Sequence, residues 1–162
     1  MRRRISFILT GGIIVFLVFI NWSNLTGEMY RFDNADLSAK LEVLSFESKV
    51  LVLVPFEEMK IFDTELTRDG TKQHYEITLM NKDKDTLVYS VSNYEEEILS
   101  ETDSEKVEFR SGVAGKYIPD DNGKRRLYWR QGEVNYGITY HPKVTPNDLS
   151  KGRLIEMAES VE

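Results

Sequence analysis

The chain has 162 residues, with 27 Asp and Glu against 21 Lys and Arg, a formal charge of −6, 41% hydrophobic residues and no cysteine. An acidic balance argues against a nucleic-acid partner and against adhesion to anionic lipid or wall polymer. The absence of cysteine excludes disulfides and a cysteine-borne lipid anchor, so burial alone must stabilise the fold.

Arg2, Arg3 and Arg4 precede an uncharged, mostly apolar run from Ile5 to Trp22. A helix of that length, at about 1.5 Å per residue, spans roughly 27 Å and just crosses a bilayer core. Trp22 falls where an interfacial aromatic belongs, and the arginines belong on the cytoplasmic side. A cleaved signal peptide is the alternative, but Ile20-Asn21-Trp22-Ser23 offers no small-residue cleavage pattern. The expected organisation is therefore a cytoplasmic tail (1–4), a transmembrane helix (5–22), a juxtamembrane tether (23–34) and an extracytoplasmic α+β domain (35–162). The protein is expected in the cell membrane, single-pass, with its C-terminal domain outside. Past the three arginines the formal charge is −9, from 18 basic and 27 acidic residues.

Asn34 can cap a helix with Leu37, Leu41 and Leu44 on one face, running to about Phe46. Val50 to Val54 is a short, mostly β-branched run closed by Pro55, which predicts a buried strand. Tyr75, Ile77 and Leu79 alternate with polar residues, as do Leu87, Tyr89 and Val91. With the charged turn Asn81–Asp85 between them they predict a β-hairpin. Val107 and Phe109 begin a second β unit, and Gly112 and Gly115 mark a bulge or a close backbone approach. Asp121-Asn122-Gly123 is a hairpin turn signal. Leu127 and Trp129 alternate before Gln131-Gly132, and Val134, Tyr136, Ile138 and Tyr140 form the clearest strand. Thr145-Pro146-Asn147-Asp148 reads as a helix start, and Leu154, Met157, Ala158 and Val161 form the stripe of a closing helix. The expected fold class is α+β: an N-terminal transmembrane helix, then a curved antiparallel β-sheet domain with a helix at each end.

Three features carry a resemblance, and a fourth, upstream, looks like the same family's proline-marked entry into the sheet. Gly115 and Tyr117 follow a strand; Leu127-Tyr128-Trp129 pairs with Tyr136-Gly137-Ile138; Leu154 to Ser160 closes the chain; and Val54-Pro55-Phe56 precedes a central hairpin. On the first three, Lys106–Glu162 resembles a family of small bacterial envelope domains of unknown function. These occur in membrane-anchored proteins, lipoproteins and anti-sigma-factor-like proteins, and are distantly similar to lipoprotein-carrier half-barrels. His141-Pro142-Lys143-Val144 departs from the pattern by lengthening the last strand-to-helix link. The resemblance implies a concave sheet partly covered by helix and an apolar or peptide ligand, with no catalytic residues to carry over.

Little in the sequence points to catalysis or metal binding. His74 and His141 lack metal-ligand spacing, so no metal site or cofactor is expected. No Gly-x-Ser-x-Gly elbow exists, and Ser111-Gly112 lies in a sheet-like context. The acidic run Glu95, Glu96, Glu97, Glu101, Asp103 and Glu105 lacks the alternation and glycine of a calcium loop, and reads as a solvated loop. Tyr89, Tyr117, Trp129, Tyr136 and Tyr140 remain, either as packing or as a ligand-binding, aromatic-lined groove. The expectation is a non-enzymatic binding, accessory or sensor domain that recognises a protein or apolar ligand, with a protein partner in the membrane or envelope. A cell-envelope hydrolase and a purely structural module are the alternatives.

Overall fold

Strict apolar alternation builds the middle of the sheet, because successive side chains on a strand point to opposite faces. In the computed structural model, which describes residues 28–95, 104–121, 124–141 and 149–162, nine strands and two helices follow one another. They are β1 (Tyr30–Arg31), α1 (Ala35–Leu41), β2 (Leu53–Val54), β3 (Lys60–Asp69), β4 (Lys72–Met80) and β5 (Thr86–Ser92). After these come β6 (Glu105–Glu108), β7 (Ala114–Asp121), β8 (Lys124–Gln131), β9 (Val134–His141) and α2 (Lys151–Glu159).

Seven strands form one antiparallel sheet in the order β3-β4-β5-β9-β8-β7-β6, and β1 pairs separately with β2. The last strand, β9, thus lies at the centre and joins two meanders, β3-β4-β5 and β6-β7-β8. The expected β4–β5 hairpin forms with Ile77 opposite Tyr89, and Gln131 pairs with Val134 around a two-residue turn at Gly132.

The balance of the fold differs from the α+β expectation. Among the described residues the structure is mostly β, at 48% strand, and the two helices have only 7 and 9 residues. The long edge strand β3 is the largest addition. A register shift between Ile61 and Asp63 breaks its alternation and leaves Phe62 68% exposed. The run from Val50 contributes only Leu53 and Val54 to a strand, while Val50 exchanges backbone hydrogen bonds with Glu162. Tyr30 and Arg31, expected in a tether, supply its partner strand, and Phe32 is buried. The expected transmembrane helix lies outside the described residues. Among the described residues no helix is long and apolar enough to cross a membrane.

The first helix ends at Leu41 rather than Phe46, and Asn34 makes no side-chain cap. The Thr145-Pro146 start falls outside the described residues; α2 is capped instead by the Ser150 hydroxyl, which accepts the Arg153 N–H. Both helices cover one face of the large sheet. Leu37, Leu149, Leu154 and Met157 are fully buried there with Ile77, Leu79, Leu87, Leu127 and Ile138. That face is the core, and the opposite face is uncovered by any described helix. Gly115 allows a close approach on the core face, since a β-carbon there would stand 3.0 Å from Val107 and 3.1 Å from Phe109.

Candidate functional site

The five aromatics Tyr89, Tyr117, Trp129, Tyr136 and Tyr140 all point to the core face and are buried. Trp129 stacks on Tyr136 with centroids 5.4 Å apart, and Tyr136 on Tyr89 at 6.4 Å. Tyr140 meets Phe56, and Tyr117 lies under the Lys151 ammonium. The structure therefore gathers Tyr89, Trp129 and Tyr136 into one stack and leaves Tyr117 and Tyr140 to either side.

Two of the hydroxyls are already used. Tyr89 donates to the Lys49 carbonyl at 2.9 Å, and the Tyr136 hydroxyl accepts the Lys49 N–H at 3.2 Å. A single residue of the chain's own crossing segment thus occupies the polar handles that a ligand would need. Burial pushes both phenols above their ordinary pKa, Tyr89 well above.

The opposite face carries a pattern that sequence reasoning missed. Register places seven directly paired residues in one row across the sheet: Lys106, Lys116, Tyr128, Gly137, Ser90, Glu76 and Glu65. Two lysines stand opposite each other at one end and two glutamates at the other. Flanking rows extend the polarity, with Arg126 and Arg130 on β8 and Asp63 on β3.

At the basic end a groove of about 540 Å³ runs over Lys106, Lys116, Tyr128, Arg130 and Asn135, with Glu95 on its rim. Asn135 donates to the Tyr94 carbonyl at 3.0 Å, and the Ser92 hydroxyl donates to the same oxygen at 2.8 Å. These bonds pin the start of the acidic run beside the groove. The Tyr128 ring lies over Gly137, where a β-carbon would come within 2.8 Å of it.

Both histidines lie on this outer face. His74 Nε2 is 3.3 Å from Glu76, and that bond holds the Glu76 carboxyl below its ordinary range. Burial lowers the His141 pKa, helped by Lys124 and Arg126. Among the described residues no group of three His, Asp or Glu is placed to hold a metal. Ser111 lies in the turn between β6 and β7.

No family model matches this chain, and no curated protein or solved structure matches it either.

Proposed function

We propose that the chain is a membrane-anchored extracytoplasmic binding domain, without chemistry of its own, that engages a protein partner through the outer face of its sheet as an accessory or sensor subunit. The basic start and apolar run of residues 2–22 support the anchor. The carrying observation is the outer row, which no described helix covers and which sets Lys106 and Lys116 at one end and Glu65 and Glu76 at the other. Of the two ligand classes expected, the protein is favoured over the apolar ligand, because the aromatic stack is filled by the chain's helices and by Lys49.

The test places a photoreactive residue at Lys116 or Val88 on the outer face, or at the exposed Val43 on the helix side, of the full-length protein in its own membrane. The reading expects one discrete protein adduct from the outer positions and none from Val43. Capture from Val43 alone, or from no position, overturns it.

A further inference from the structure

Resting on the anchor reading above, we infer that the end of the sheet carrying Phe62 docks on the surface of the bilayer that holds the anchor. Phe62 is 68% exposed, more than any other large apolar side chain among the described residues. The register shift between Ile61 and Asp63 turns it outward, and bulges of this kind re-aim a side chain.

The chain leaves the fold towards the anchor at this same end. One rung of the sheet runs through Ile61, Leu79, Leu87, Tyr140 and Arg125. Phe56 packs on Tyr140, with ring centroids 5.9 Å apart. The neighbouring Pro55 carbonyl shares one Arg153 nitrogen with the Glu28 carbonyl. Glu28 thus lies near the Tyr140 position of the rung whose β3 member, Ile61, precedes Phe62. Five residues separate Trp22 from Glu28, a reach of at most roughly 20 Å. β4 alone, at nine residues, is about 30 Å long. With the apolar run ending at Trp22 in the interface, the near end of the sheet faces the bilayer, and the far end, at Gln73 and Val134, faces away.

The side chains of the near end suit a bilayer interface. Lys60, Lys82, Lys84 and Lys124 are exposed there. Lys82 pairs with Glu58 at 3.3 Å and so ties the segment before β3 to the β4–β5 turn. Aromatic rings collect at the depth of the headgroups, and lysine stems lie along apolar surface with their ammonium groups in water. Glu57, Glu58 and Asp83 offset most of the lysine charge, so the contact rests on the ring and the stems, not on anionic lipid. Glu58 and Lys84 both hold positive φ, 56° and 62°, where glycine is the easier choice. Charged side chains are kept at both turns of this end in spite of that, as happens where a surface is used. In this pose the strands stand upright, and the outer face looks along the membrane plane, where a partner held in the same bilayer would approach it.

The experiment exploits the absence of native cysteine. A nitroxide is attached to a single cysteine in the full-length protein: Ile13→Cys within the apolar run, Lys60→Cys at the near end, or Thr71→Cys at the far end. Each protein is reconstituted in phosphatidylcholine vesicles. Power saturation then compares collisions with oxygen, which partitions into lipid, and with a nickel chelate, which stays in water. The oxygen-to-nickel ratio at position 60 is expected to exceed that at position 71 severalfold, and to fall to the same level when Phe62→Asp is added. Phe62 is exposed, so that substitution leaves the core intact. A water-like ratio at position 60 beside a lipid-like ratio at position 13 overturns the docking and leaves the anchor standing. A ratio at position 60 that ignores Phe62→Asp overturns it too, as does a label there shielded from both agents by a protein contact. A water-like ratio at position 13 overturns the anchor reading itself, and the docking with it.

Discussion

Tyr128 and Gly137 are cross-strand neighbours at the centre of the outer face, and the ring occupies the space that any side chain at 137 would need. A glycine within a strand weakens it, and an aromatic laid over that glycine restores cover. Gly137→Ala forces the ring and the Ser90 hydroxyl aside and should cost about 1 kcal/mol, as overpacking does. Urea unfolding measures this, and the cost should shrink when Tyr128 is already Ala. An equal cost in both backgrounds would show that the ring is not the obstacle.

Tyr89 and Tyr136 hold the Lys49 backbone between them. Tyr89→Phe leaves a carbonyl without its donor and should destabilise by about 1–2 kcal/mol.

The same pair sets an alkaline limit. Both phenols have pKa values raised by burial above the ordinary 10.0, so the folded state holds these protons more tightly than the unfolded chain. The stability that depends on them is complete below about pH 10 and declines as pH rises beyond it. Tyr89→Phe should lose less stability than the wild type between about pH 10 and 11. Parallel pH profiles for the two proteins would contradict the assignment.

Gln73 is buried on the core face, and its side-chain oxygen accepts the Ser45 N–H at 2.8 Å. Gln73→Leu keeps the volume but orphans that donor, and should cost about 1–3 kcal/mol. Limited proteolysis should show faster cleavage between positions 42 and 50.

Arg153 on α2 ties the backbone at Glu28 to the core. One of its nitrogens donates to the Glu28 carbonyl at 2.6 Å and to the Pro55 carbonyl at 2.7 Å. Arg153→Met keeps the aliphatic stem and removes both bonds. The expected result is a loss of about 1–2 kcal/mol and new protease sensitivity next to Glu28.

The paired halves of the sheet were legible because β4 and most of β5 and β9 alternate, as half-buried strands do. β3 was not. It is an edge strand whose two faces are both largely exposed, and the irregularity at Phe62 shifts its apolar residues out of phase. Tyr30 and Arg31 carry no strand signal because their pairing with Val54 and Leu53 is set by tertiary packing. The aromatic stack could be read from alternation, but not the use of its hydroxyls by Lys49, 40 residues away from Tyr89. The outer row was illegible for the same reason. Lys106 and Lys116, or Glu65 and Glu76, become neighbours only once register is fixed, and no local pattern marks them.

Chemical footprinting of lysines tests the central claim most directly. The full-length protein would be acetylated briefly in its own membrane and again after purification and dilution, and rates compared site by site. The account predicts that Lys106 and Lys116 react more slowly in the membrane, while Lys40 on α1 reacts alike in both. Equal rates at all three lysines, or protection confined to Lys40, would contradict the outer face as the binding surface.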